Sequence, residues 1–292
     1  MTTILLTGSE GQVGWELQRC LSTLGSVIAC DRHKLDLTKP EQAVKLIRET
    51  RPTIIVNPAA FTSVDLAESK QDLAMKINGE MPGILAEEAK RLDSIFLYYS
   101  TDYIFDGSSK IPYTETDRPN PINVYGKSKL LGETNVQAVG GKHLIVRTSW
   151  VYGRRGKNFL NRVLSIAKEK NELKVVVDQI GAPTWSRLIA EATSQILTHF
   201  IPGNDKSDSR WGIYNLTSMG QTNWYKFAEA IFHGYAKRMN MPIPSLKPIS
   251  SSEYVTEAKR PLYSVLSNEK LFHTFGLRMP DWEKGLELCL EV

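Results

Sequence analysis

The first 24 residues hold this chain to a narrow choice of folds. Thr2 to Thr7 is a short apolar run that passes directly into Gly8-Ser-Glu-Gly11-Gln-Val-Gly14, and Trp15 to Leu24 is amphipathic. Strand, glycine turn and helix in that order make one βα unit. The glycines permit a tight turn and let backbone N–H groups approach an anion, whose charge the N-terminal end of the helix dipole favours. A second strand, Val27 to Cys30, ends at Asp31, 20 residues after Gly11. A carboxylate there can accept hydrogen bonds from ribose hydroxyls, so the unit reads as a dinucleotide site. The spacing is Gly-x-x-Gly-x-x-Gly, not the usual Gly-x-Gly-x-x-Gly, so the order of elements specifies more than the glycines do. Asp31 points to NAD, while Arg32 beside it could receive the extra phosphate of NADP, which leaves the two nicotinamides open.

Alternation then continues: helix Pro40–Thr50, strand Thr53–Asn57, helical stretch Asp65–Arg91, strand Ser94–Tyr99, helix Asn123–Val139, strand Leu144–Thr148, helix Asn158–Lys170, strand Leu173–Val177 and helix Ser186–Phe200. Ile-Ile-Val and Ile-Phe-Leu-Tyr are continuous apolar runs, as strands covered on both faces require. The expected fold is α/β, a doubly wound parallel sheet with a smaller C-terminal substrate-binding domain. Residues 1–150, with a contribution from about 172–216, are assigned to a dinucleotide-binding Rossmann domain, and 151–171 with 217–292 to the smaller domain. A polar loop, Pro202 to Arg210, precedes the run Trp211–Leu216; helices are expected at Thr222–Met239 and Trp282–Leu290, separated by a Pro/Ser-rich stretch from Met241 to Ser252.

With 41% hydrophobic and 23% charged residues and no apolar run long enough to cross a bilayer, the 292-residue chain has the make-up of a globular protein, not a membrane one. The net charge of +4 comes from interspersed Lys and Arg, which implies no nucleic-acid partner but suits an anionic small substrate. Met-Thr-Thr-Ile lacks the basic start of a signal peptide, so a cytoplasmic location is expected. Cys20, Cys30 and Cys289 lack metal-ligand spacing and read as reduced thiols, and five scattered histidines offer no zinc site.

The chemistry-bearing segment is Ser-Thr-Asp-Tyr-Ile-Phe-Asp-Gly at 100–107 followed by Tyr125-Gly-Lys-Ser-Lys129. Tyr125 and Lys129, four residues apart at a helix start, share a face, where the ammonium is expected to favour the phenolate and lower the tyrosine pKa. Such a phenol is a proton donor for a carbonyl. An isolated Tyr-x-x-x-Lys is usually a surface pair; this one stands downstream of a dinucleotide signal.

Taken with Asn-Pro-Ala-Ala at 57–60, these motifs resemble the extended short-chain dehydrogenase/reductase superfamily, in the same order and spacing. Within it, Gly-Gln-Val-Gly-Trp-Glu-Leu at 11–17, Thr-Asp-Tyr-Ile-Phe-Asp-Gly at 101–107, Arg-Thr-Ser-Trp-Val-Tyr-Gly at 147–153, Asp-Gln-Ile-Gly-Ala-Pro-Thr at 178–184 and Lys-Arg-Pro at 259–261 resemble the dTDP-4-dehydrorhamnose reductases. The resemblance implies NADPH- or NADH-dependent reduction of a 4-keto dTDP-sugar. Tyr125 would be the general acid, Lys129 its helper and a ligand of the nicotinamide ribose, and Thr101 a second donor to the carbonyl oxygen. Gly8, Gly11, Gln12 and Val13 would meet the pyrophosphate, Asp31 the adenosine ribose, Asp36 and Leu37 the adenine, and Ala60, Phe61 and Thr62 the nicotinamide half. Thr101, Asp102 and Trp150 would hold the sugar, with Trp150 a flat apolar wall, Arg260 would meet the diphosphate, and Gln179 and Thr184 would line the same pocket.

Several relatives are implied to form homodimers bridged by Mg²⁺ through acids on the helix after Gly-Ala-Pro-Thr; here Arg187 stands where an acid is expected, with Glu191 one turn on, which speaks against the metal bridge. A 4,6-dehydratase would carry Thr-Asp-Glu, and this chain has Thr101-Asp102-Tyr103. A 4-epimerase shares Tyr125 and Lys129. A non-catalytic subunit of the methionine adenosyltransferase β type would have lost that pair.

Overall fold

In a computed structural model, residues 2–167, 169–201, 210–239 and 244–291 are described. The elements run β1 (Thr3–Leu6), α1 (Gln12–Leu21), β2 (Ser26–Ala29), α2 (Pro40–Thr50), β3 (Ile54–Asn57), α3 (Val64–Ser69), α4 (Gln71–Ala74), α5 (Met81–Arg91), β4 (Ile95–Thr101), α6 (Val124–Val139), β5 (His143–Thr148), β6 (Val151–Tyr152), α7 (Phe159–Ala167), β7 (Glu172–Val176), β8 (Ile180–Gly181), β9 (Thr184–Trp185), α8 (Ser186–Thr198), β10 (Gly212–Asn215), β11 (Thr222–Asn223), α9 (Trp224–Met239), β12 (Ser245–Ile249), α10 (Glu269–Phe275) and α11 (Trp282–Glu291).

Six strands form one sheet in the order β10-β5-β4-β3-β1-β2, every pair parallel. β1 pairs with β2 on one side and β3 on the other, so successive crossovers diverge at β1/β3, the kind of switch point outside which doubly wound sheets bind ligands. Alternate side chains of each strand point to opposite faces. Ile4 and Leu6 of β1 pack with Leu17 and Leu21 of α1 and Ile189 and Ile196 of α8. Leu5, between them, packs with Ala43 and Ile47 of α2 and Leu85 and Ala89 of α5. Each large apolar side chain so buried contributes about 1.5–3 kcal/mol. A separate core under the second lobe joins Leu160 and Val163 of α7, Phe227 and Ile231 of α9 and Leu286 and Leu290 of α11.

Three sequence expectations change. The helical stretch Asp65–Arg91 divides into α3, α4, a π-helical segment Met75–Glu80 and α5. Lys70 leaves helical geometry, with φ −121° and ψ 50°, and π segments often mark functional sites. The contribution expected from about residue 172 also divides. β7 pairs with β12 in a two-stranded sheet of the second lobe, whereas α8 and β10 join the first. β12 itself lies inside the stretch read as Pro/Ser-rich, Met241 to Ser252, of which 241–243 are outside the described residues. Of the loop Pro202–Arg210, only Arg210 is among the described residues. No helix among them is long and apolar enough to cross a membrane.

Candidate active site

The glycine turn begins at Gly8, whose φ of +55° favours glycine and where an added Cβ would lie 2.9 Å from Ala59. Gly11 caps α1 without a side chain, and the Trp15 amide donates to the Gly11 carbonyl at 2.8 Å. The amides of Gln12, Val13 and Gly14 therefore precede the first intrahelical donor and have no acceptor within the helix. They edge a cavity of about 560 Å³ whose wall contains Gly8, Gly11, Gln12, Val13, Asp31, Asp36, Leu37, Ala60, Phe61, Thr62, Tyr125 and Lys129. One cavity thus collects every residue expected at the cofactor.

The same wall holds residues to which the sequence gave no cofactor role, among them Ile77, Tyr99, Ser100, Thr148, Gly156 and Lys157, with Arg32 also present. Ser100 Oγ and Thr148 Oγ1 are buried there without a hydrogen-bond partner among the described residues. Asp31 Oδ1 accepts from the His33 and Lys34 amides at 2.9 and 2.8 Å. These amides, Lys34 foremost, hold its carboxyl below the usual range. Asp36 is fixed likewise by Thr38, through amide and hydroxyl at 3.0 and 2.8 Å.

Tyr125 and Lys129 are set by how α6 begins and what it rests on. Asn123 caps the helix, its Oδ1 accepting from the Gly126 amide at 2.8 Å, while its Nδ2 donates to the Lys259 carbonyl, also at 2.8 Å. Gly126 leaves no room for a Cβ against the Tyr103 carbonyl, which brings α6 close to the end of β4. From the π segment, Asn78 donates to Ser128 Oγ at 3.0 Å and exchanges bonds with the Phe61 backbone at 2.8 and 3.0 Å. This fully buried asparagine ties the Ala60–Thr62 wall to the catalytic helix. Nothing local in the sequence marks it, since Lys76 and Glu80 beside it are polar as well.

The expectation that Lys129 lowers the Tyr125 pKa is not met. The Lys129 ammonium donates to the Tyr99 carbonyl and lies 4.1 Å from the Tyr98 ring centroid. Burial pushes the Tyr125 phenol up to about 12, with the Thr101 hydroxyl acting the other way. Burial likewise brings the Lys129 ammonium down to about 7, opposed by Glu133. β4 runs to Thr101, beyond its expected end at Tyr99, and places Thr101 Oγ1 as donor to Asp102 Oδ1 at 3.0 Å. Asp102 is 2% exposed with Oδ2 unpartnered among the described residues. Burial raises its carboxyl to about 7, with Ser264 and Thr101 acting the other way.

The residues expected at the substrate are dispersed. Trp150, with φ +44°, stacks on Trp224 at 3.5 Å and 4°. One face of the expected apolar wall is therefore covered by a ring the sequence reading did not single out. Trp224 Nε1 donates to Gln179 Oε1 at 3.0 Å, and Gln179 Nε2 donates to Ser251 Oγ at 3.0 Å. Gln179, Trp224 and Arg260 line a second cavity of about 510 Å³ with Arg162, Lys170 and Lys174. Four cations and a single acid, Glu172, stand in that wall. Arg260 donates to Asp65 Oδ2 at 2.7 Å, across from the second lobe to α3. Thr184 is fully buried, its hydroxyl donating to the Ala182 carbonyl at 3.1 Å and accepting from the Ser218 amide at 3.1 Å, so its place is in packing.

Residues 1–292 match the family model described as RmlD substrate binding domain. A dTDP-4-dehydrorhamnose reductase of Burkholderia thailandensis is 45% identical over 290 residues, 98% of this chain and 97% of that one. The chain belongs to the dTDP-4-dehydrorhamnose reductase family. Among solved structures, the family member from Clostridium acetobutylicum superposes with a TM-score of 0.90 at 37% identity, covering 99% of both chains. That from Bacillus anthracis, solved in complex with NADP, gives 0.90 at 36%, covering 100% of this chain and 99% of that one. On the helix that the family resemblance linked to a metal-bridged dimer, Arg187 Nε donates to Glu191 Oε1 at 2.9 Å. No cluster of three potential metal ligands occurs among the described residues.

Proposed function

We propose that this chain is an NAD(P)H-dependent oxidoreductase that reduces the 4-keto group of dTDP-4-dehydro-L-rhamnose to give dTDP-L-rhamnose, the last step of dTDP-rhamnose synthesis for surface polysaccharide, in the cytoplasm. The observation that carries the reading is one cavity holding both the Gly8–Gly14 turn with Asp31 and the Tyr125–Lys129 pair. A nicotinamide dinucleotide fits the residues present: free helix amides at Gln12 to Gly14 for its pyrophosphate, Asp31 for a ribose, and two buried unpartnered hydroxyls, Ser100 and Thr148, for its polar groups. Residues 1–150 with α8 and β10 form the dinucleotide domain in this reading, and 151–171 with 217–292 and β7 the substrate domain.

Held there, a reduced nicotinamide would supply the hydride for C4 of the sugar. Tyr125, kept protonated by its buried surroundings, gives its proton to the ketone oxygen as negative charge gathers there. Thr101 turns its hydroxyl from Asp102 to the same oxygen, a bond worth most where charge develops. Asp102 offers its unpartnered Oδ2 to a sugar hydroxyl. The cations of the second cavity, Arg260 with Arg162, Lys170 and Lys174, suit the diphosphate, and Trp224 beside Gln179 suits the base. Tyr103, edge-on to Tyr125 at 5.8 Å, replaces the second acid that dehydration would need. With Glu191 already paired to Arg187, a homodimer would assemble without Mg²⁺, which sedimentation with and without a chelator tests.

The deciding assay follows NADPH, and separately NADH, oxidation by purified protein with dTDP-4-keto-6-deoxy-L-mannose made in situ. Oxidation with dTDP-L-rhamnose as product is the expected outcome. Nicotinamide binding without oxidation would overturn reduction of this sugar in favour of another keto-sugar substrate or a regulatory subunit.

A further inference from the structure

α7 starts between the two cavities. Phe159, Arg162 and Val163 on this helix line the second cavity, while Gly156 and Lys157 just before it line the first. The loop bearing Gly156 and Lys157 leads into the second lobe, yet it is fastened to the opening turn of α1. The Arg155 guanidinium lies 3.3 Å from the centroid of the Trp15 ring. Asn158 Nδ2 donates to Gln12 Oε1 at 2.8 Å. Gly156, at φ +76°, sits so near that an added Cβ would be 3.2 Å from Gln12 Cγ. Amides of Asn158 and Asn161 also donate to the carbonyls of Gly153, Arg155 and Gly156, which sets the loop's own shape.

Core packing does not require these fastenings, because Arg155, Gly156 and Lys157 are all exposed. Their effect is to hold an ammonium that makes no ion pair among the described residues on the wall shared with Gly11, Gln12 and Val13. Glu10 is the acid on that wall nearest in sequence to the turn, and an anionic ligand there needs a cation to offset it. Of the other cations on that wall, Arg32 adjoins Asp31 at the ribose end and Lys129 is turned to the Tyr99 carbonyl.

We propose that Gly156 and Lys157 form a clamp, contributed by the second lobe, that closes on the dinucleotide, with the Lys157 ammonium on its pyrophosphate. The assignment rests on the cofactor reading above and extends it to a residue that none of the sequence motifs contains. The attachment points, Gln12 and Trp15, both lie in the first turn of α1, where helix amides also favour pyrophosphate.

Nicotinamide fluorescence titrations with NADPH and NADH at several NaCl concentrations test the clamp in wild type, Lys157→Gln and Lys157→Arg. Lys157→Gln should weaken both dinucleotides by about five- to tenfold and flatten the salt dependence, as loss of one charge-assisted contact would. Lys157→Arg should recover most of the affinity, and the melting temperature without ligand should not move. Trp15→Leu, which frees Arg155, should weaken binding less and add little on top of Lys157→Gln. Wild-type affinity for both dinucleotides in Lys157→Gln would overturn the clamp alone. A loss confined to NADPH would put the cation on the 2′-phosphate and overturn the pyrophosphate contact. Failure of the wild-type chain to bind either dinucleotide would overturn the cofactor reading and the clamp with it.

Discussion

The wall of the first cavity includes six glycines and alanines, Gly8, Gly11, Gly14, Ala59, Ala60 and Gly156, and the open amides at the start of α1. The second has no glycine or alanine in its wall; it is made of larger side chains from α7, β7, α9 and three loops. A wall of backbone amides at strand ends can hold a ligand whose shape and charge are constant, and its geometry follows from the sheet. A wall of Arg, Lys, Trp and Gln side chains is tuned residue by residue, which is where selectivity among sugar nucleotides can reside. Tyr125, Thr101 and Asp102 stand at the carboxyl end of β4 and the start of α6, with Tyr125 on the wall of the first cavity.

The largest effect should come at that junction. Tyr125→Phe removes the proton donor and should lower kcat by about 10²- to 10⁴-fold with NADPH affinity nearly unchanged, read by steady-state kinetics beside fluorescence titration. Retained turnover would detach the chemistry from the first cavity altogether. Thr184→Val tests the boundary of the second cavity. It leaves the buried Ser218 amide without its acceptor and should cost about 1–3 kcal/mol in urea unfolding, with KM for the sugar nucleotide unaltered. A raised KM at unchanged stability would return Thr184 to the substrate.

Arg260→Gln should raise KM for the dTDP-sugar by about tenfold, roughly 1.4 kcal/mol, while sparing cofactor binding. An equal loss for both ligands would mean that the Asp65 bridge matters as an inter-lobe brace and not as a diphosphate site. The last comparison is one of pH and concerns Asp102. Its folded pKa, about 7, lies above the 3.8 of an unperturbed carboxyl, so the folded state holds this proton more tightly than the unfolded one. The resulting stabilisation is complete below about pH 3.8 and is lost as pH rises to about 7. Asp102→Asn should remove that component, so the difference in urea midpoint between variant and wild type should change across this window and level off above it. A difference independent of pH would show that Asp102 ionises normally.

Much of the first lobe was legible. Pro40–Thr50 was bounded to the residue, because proline at the first helical position and an apolar stripe mark it locally. Asn123 as the start of the catalytic helix was equally readable, since an N-cap is a local device. The break at Lys70 and the π segment were not, because they exist to bring Asn78 against Phe61 and Ser128, partners 17 and 50 residues away. β7 was readable as a strand but not as a partner of β12, since parallel pairing carries no local signal.

By itself the sequence determined the βα units, the glycine turn and the Tyr125–Lys129 face, all of which depend on backbone preferences and spacings within a few residues. Tertiary structure alone decided protonation and pairing: Lys129 turned to the Tyr99 carbonyl, Tyr125 pushed up by burial, Trp150 covered by Trp224, and Arg260 held by Asp65. Those outcomes turn on desolvation and on contacts between segments distant in the chain, and neither exists until those segments have packed together.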